Sequence, residues 1–75
     1  MDGLRFAVGE RVRCRTSAAT WKRGRVVQLH YREDNWPEDQ VAPYQIELDT
    51  GVLIYAPADS DDWIGVENKR QYLER

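Results

Sequence analysis

Pro43-Tyr44-Gln45-Ile46-Glu47-Leu48-Asp49-Thr50-Gly51-Val52-Leu53-Ile54-Tyr55-Ala56-Pro57 contains two strand-like runs that meet at an Asp-Thr-Gly turn and are fenced by prolines. Tyr44, Ile46 and Leu48 alternate with Gln45 and Glu47, the period of a strand with one buried face, and β-branched and aromatic residues fill the return run. The stretch predicts a β-hairpin.

Upstream, Gly9-Glu10-Arg11-Val12-Arg13-Cys14-Arg15 also alternates, which sets Val12 and Cys14 on one side and Arg11, Arg13 and Arg15 on a wet, basic one. The small polar residues 16–20 predict a connecting loop. Trp21 opens a second strand that reaches Tyr31, with Gly24 marking a bend or a close backbone approach. Residues 32–42 turn polar and acidic around Trp36-Pro37, without helical period and too long for a tight turn, and predict a functional loop. Downstream of the hairpin, Pro57-Ala58-Asp59-Ser60-Asp61-Asp62 predicts a turn or a single helical turn, followed by a short last strand, Trp63-Ile64-Gly65-Val66. The tail, 67–75, suits a short helix that needs Tyr72 and Leu73 to dock. The sum is a single all-β domain of about five antiparallel strands, with its barrel over about residues 7–66.

At 75 residues a chain buries only about 60% of the surface that its unfolded form exposes, which leaves little room for a deep cofactor cavity. The one cysteine, Cys14, excludes an internal disulfide, and with one histidine the chain lacks the ligands of a four-coordinate zinc site. No signal peptide or run of membrane-spanning length appears, so the expected location is cytoplasmic or nuclear. Net charge is −2, which argues against a general nucleic-acid or membrane binder. The charge is unevenly spread. Residues 1–32 hold eight Lys/Arg against Asp2 and Glu10, whereas residues 33–75 hold eleven acids against Lys69, Arg70 and Arg75.

Gly9 with Val12 and Cys14, then Trp21-Lys22-Arg23-Gly24-Arg25-Val26-Val27, then Ile46-Glu47-Leu48-Asp49-Thr50-Gly51 together resemble an SH3-like barrel, and within it the Tudor-like branch. The chain from Gly24 through Leu29-His30-Tyr31-Arg32-Glu33, Trp36-Pro37, Ala42-Pro43-Tyr44 and Leu53-Ile54-Tyr55-Ala56-Pro57 also resembles a short uncharacterised module of multidomain eukaryotic proteins, a likeness that implies no activity. The Tudor-like resemblance implies binding of methylated lysine or arginine in an aromatic cage, where cation–π attraction favours a bulky, weakly hydrated cation. The pattern departs from that cage: Glu47, Thr50 and Thr16 stand where the family tends to place aromatics. Trp21 is a possible remaining wall, with Tyr31, Trp36, Tyr44 or Tyr55 as substitutes.

Each candidate carries two readings. Trp36 is either a contact residue displayed on its loop, since such aromatics dominate interface energetics, or a cap folded over Tyr31 and Tyr44. Arg11, Arg13, Arg15, Arg23 and Arg25 form a ladder that either holds phosphate and nucleic acid or is neutralised by Glu47, Asp49, Asp59, Asp61 and Asp62. Asp59, Asp61 and Asp62 lack the spacing of a calcium loop and read as a solvated acidic turn, or as a patch for a basic tail. Cys14 reads as a small core hydrophobe rather than a nucleophile, and His30 has no catalytic partner at an informative spacing.

The sequence therefore predicts a non-catalytic interaction module without metal or cofactor. Its expected ligand is a protein or peptide, held by Trp21, Tyr31, Trp36, Tyr44 and Tyr55. The alternatives are nucleic-acid or phosphate binding on the five arginines and a structural or self-associating role through a free strand edge.

Overall fold

The computed structural model describes residues 3–67, so the expected C-terminal helix falls outside the described residues beyond Glu67. Five strands form one antiparallel sheet: β1 (Arg11–Ser17), β2 (Thr20–Tyr31), β3 (Ala42–Leu48), β4 (Leu53–Ala56) and β5 (Ile64–Val66). Their order across the sheet is β4-β3-β2-β1-β5, and no helix is present among the described residues. The all-β expectation holds, and the sheet curls around one core in a barrel-like manner.

The hairpin that decides the fold is built as its sequence requires. Leu48 N–H donates to Val52 O at 2.8 Å, Gly51 N–H donates to Leu48 O at 2.8 Å, and Gly51 sits at φ +92°. A tight turn that ends in a left-handed residue gives β3 and β4 their register, and glycine takes that conformation without steric cost. Tyr44, Ile46 and Leu48 point into the core, with Val12, Cys14, Val26, Ala56 and Ile64 from the other strands. Burial pushes the Cys14 thiol up to about 11, so it stays a neutral core group at physiological pH.

Gly24 is the predicted close approach. It pairs with Val12 on β1 and Leu48 on β3, and an added Cβ would run into the Glu47 carbonyl oxygen and lie 2.9 Å from the Ile46 side chain. Two residues further on, a bulge between Val26 and Gln28 bends β2, and His30 near its end takes φ 55°. These two irregularities let a single long strand serve both halves of the curled sheet.

The structure differs from expectation at two places. β1 continues to Ser17 and β2 begins at Thr20, so the predicted five-residue loop shrinks to Ala18-Ala19; the hydroxyl of Thr16 donates to the Thr20 carbonyl across it. The chain before the expected barrel start also belongs to the fold, because Phe6 is buried in the core and Leu4 packs against it. The turn after β4 forms as anticipated, with Trp63 and Ile64 N–H both donating to the Ser60 carbonyl.

Candidate functional site: the seam beside β4

β4 and β5 are the two edges of the sheet and do not pair with each other. Beside β4 lies a groove of about 490 Å³, lined by Leu53, Ile54, Tyr55 and Pro57 from β4 and the residue after it, by Arg15 and Thr16 of β1, by Trp63 just before β5, and by Glu33 of the long loop. Leu53 is 56% exposed and Tyr55 39%, so the β4 side of the groove presents apolar side chains to water. Such exposure on an edge strand is uncommon and marks a surface able to meet a partner.

The long loop closes on the same strand. The Trp36 ring lies 5.0 Å from that of Tyr55 and 5.7 Å from that of Tyr31, both edge-on, and Tyr31 and Tyr55 are 5.9 Å apart. Local bonds fold the loop this way: Trp36 N–H donates to Glu33 O, and the Arg32 guanidinium donates to the carbonyls of Trp36 and Pro37. Ring centroids 5 to 6 Å apart are in direct contact, edge-to-face where Trp36 meets the tyrosines and tilted between Tyr31 and Tyr55. The three rings form one contiguous patch in which each touches the other two. The Tyr31 hydroxyl donates to Glu33 Oε2 at 2.9 Å, which holds its proton and raises its pKa, with some desolvation adding to the effect.

Of the five predicted aromatics, Tyr31, Trp36 and Tyr55 come together here and two do not. Tyr44 is fully buried; its hydroxyl accepts from the backbone N–H of Arg5 at 2.9 Å and of Phe6 at 3.1 Å, and its ring meets Phe6 edge-on. That placement corrects the expectation of a ligand contact at Tyr44 and of Trp36 folding over it: strand alternation turns Tyr44 inward, and Trp36 finds Tyr55 instead. Trp21 lies on another face, where the Arg13 guanidinium stacks 4.3 Å from its ring centroid. A cation from the chain itself already covers that ring.

The arginines do form a ladder, with Arg11 opposite Arg25 and Arg13 opposite Arg23. Internal partners take up much of it. Arg11 bridges Asp49 at 2.8 Å and Glu67 at 2.7 Å, and those hydrogen bonds lower the pKa of both acids. Arg13 is held flat between Trp21 and Gly65, where an added Cβ would sit 3.4 Å from the guanidinium. Arg15 stacks on Trp63 and donates to the carbonyls of Ser17, Ala18 and Asp62. Arg25 faces Glu47 across β2 and β3, and both Arg23 and Arg25 lie in the field of Asp49. Asp59 and Asp61, expected opposite the ladder, instead clamp Arg5 at 2.8 Å each.

Leu53, Trp63, Arg15 and Glu33 line the groove and were not singled out as its walls by the sequence. A usable signal was present, since no charge occurs between Asp49 and Asp59 and an edge strand is normally blunted by charge. Among the described residues no group of His, Cys, Asp and Glu is placed to hold a metal ion, and no helix is long and apolar enough to cross a membrane. Set against protein-family models, curated proteins and solved structures, the chain matches none.

Proposed function

We propose that this protein is a non-catalytic interaction module of SH3-like, Tudor-like lineage that binds a protein segment along the seam beside β4. One observation carries the reading: an open groove whose wall is an exposed apolar strand edge lies next to three mutually packed aromatic rings. A groove of this volume, mostly apolar with a few polar groups at its rim, suits side chains of an extended peptide better than a small cofactor. Tyr31, Trp36, Tyr55, Leu53 and Trp63 supply contact area, and Arg15 and Glu33 supply polar contacts at the two sides.

The rings are aromatic anchors whose few torsions lose little entropy on binding. Their direct packing favours an apolar or aliphatic side chain laid across them over a methylated cation inserted between them. The test is amide and indole NMR with pools of extended peptides. The expected result is a contiguous set of shifts at Leu53, Tyr55, Trp63 and the Trp36 indole; shifts confined to Arg23 and Arg25, or none with any pool, refute the reading.

A further inference from the structure

Resting on the seam reading, we infer that the ligand is an unmodified basic segment that adds to β4 as a further strand. Three features of the molecule converge on this.

The first is backbone geometry. Leu48 and Val52 form a hydrogen-bonded pair, so by antiparallel alternation the pairs Ile46–Ile54 and Tyr44–Ala56 point their backbone groups into the ladder. Leu53 and Tyr55 then direct their N–H and C=O groups away from β3, over the edge. An extended segment satisfies these two residues and places alternate side chains into the groove.

The second is the contrast between the two sheet edges. β5 has only three residues and is flanked by Asp62 and Glu67, a short and charged edge that discourages pairing. β4 lies inside an uncharged run from Thr50 to Ala58, and its four residues include no lysine and no proline, Pro57 coming only after its end. The chain guards one edge and leaves the other open.

The third is leftover charge. The loop that carries Trp36 holds Glu33, Asp34, Glu38 and Asp39 against Arg32 alone, and Arg32 turns its Nη2 to the carbonyls of Trp36 and Pro37 rather than to a carboxylate. None of those four carboxylates is in an ion pair with another described residue. Of the other described acids, Asp49, Asp59, Asp61 and Glu67 pair with arginine, whereas Glu10, Glu47 and Asp62 stand singly on other parts of the chain and only the loop gathers four together. Of these acids Glu33 lines the groove and Asp34 acts on Tyr31 beside it, while Arg15 on the groove is turned to backbone carbonyls; this acidic end beside an apolar edge is complementary to a strand that alternates lysine or arginine with apolar residues. A second copy would bring the same acidic rim to the seam, so like charge opposes self-pairing there.

The experiment titrates the whole protein with short peptides that alternate valine and threonine with lysine, with glutamate or with serine, and with a lysine peptide N-methylated on alternate amides. The lysine peptide should shift the Leu53 and Tyr55 amides and bind about tenfold tighter than the glutamate peptide, a gap that narrows as salt rises. Backbone N-methylation should abolish binding, and the double variant E33Q/D34N should weaken binding of the lysine peptide several-fold more than binding of the serine peptide. Equal binding of all three side-chain types overturns the basic preference and leaves the seam reading standing. Retained binding of the N-methylated peptide overturns strand addition. Concentration-dependent broadening of Leu53 and Tyr55 without any peptide assigns the edge to a second copy and overturns the inference, and silence of the seam toward every peptide removes the reading beneath it.

Discussion

Tyr44 and Tyr31 both sit on strands, both have raised hydroxyl pKa values and both neighbour carboxylates, yet they do opposite work. Around Tyr44 every charge has a partner: Arg5 reaches Asp59, Asp61 and the Ile64 carbonyl, and the Tyr44 hydroxyl takes the N–H groups of Arg5 and Phe6. Around Tyr31 the hydroxyl donates to Glu33, the ring is shared with Trp36 and Tyr55, and the neighbouring acids find no cation among the described residues. One end of the molecule is a closed strap that ties the N-terminal segment to the β4–β5 turn. The other keeps its charge and its apolar area for something outside.

The sharpest way to break this contrast is truncation. Tyr44→Ala should cost about 3–5 kcal/mol in urea denaturation, because it removes a buried ring and strands the Phe6 N–H, while the Arg5 N–H keeps Asp59. Tyr31→Ala should cost no more than about 1 kcal/mol and instead abolish peptide shifts at the seam. Equal destabilisation by the two would show the three-ring patch to be structural. Next in size is Gly24→Ala, about 1–3 kcal/mol or more, since its Cβ meets backbone of β3 that cannot step aside.

The difference between the two tyrosines was only half legible in the sequence. Period-two alternation placed Tyr44 with Ile46 and Leu48, and so already put it inside the barrel, but grouping tyrosines by residue type drew it into the candidate site. Trp36 stands on an aperiodic loop, and alternation is silent about which ring such a loop will meet. The basic and acidic halves of the chain were plain, and each ion pair among the described residues does join one half to the other. Which charges would be left over depends on the β1–β5 and β3–β4 registers, and those arise from long-range pairing that no local pattern encodes. The strap at Leu4, Arg5 and Phe6 was missed for the same reason: three residues are too few to show a period.

The two ends should also part company with pH. Desolvation raises the Asp59 pKa, but hydrogen bonds from the Arg5 side chain and backbone and from Tyr44 outweigh it and leave it lowered. A lowered folded value means that the strap's contribution is complete above the ordinary carboxylate range and is lost as pH falls below about 4 and through the lowered value. At the alkaline side the sign reverses. Burial first, then its contact with Asp59, raises Tyr44, so its contribution is complete below about pH 10 and is lost as pH climbs through the raised value. Tyrosinate absorbance should show Tyr31 ionising reversibly in the folded protein and Tyr44 only as it unfolds; a single folded-state transition for both would erase the distinction.

The smallest effect separates the ion pairs themselves. Asp61 is 73% exposed, and its pair with Arg5 works in near-bulk solvent, so Asp61→Asn should change stability by less than about 0.5 kcal/mol. Asp59 is 17% exposed and serves the Arg5 side chain and its backbone N–H together, so Asp59→Asn should cost more, about 1–2 kcal/mol. Glu33→Gln, at the open end, should leave the denaturation midpoint within experimental scatter, because glutamine still accepts from the Tyr31 hydroxyl and no ion pair is lost. If instead it raised stability, relief of repulsion among Glu33, Asp34, Glu38 and Asp39 would be the cause, and the acidic rim would then be a charge the fold tolerates at a cost. A surface held against self-repulsion is what a cationic partner relieves on binding, so the same variant should bind the lysine peptide more weakly while folding no worse.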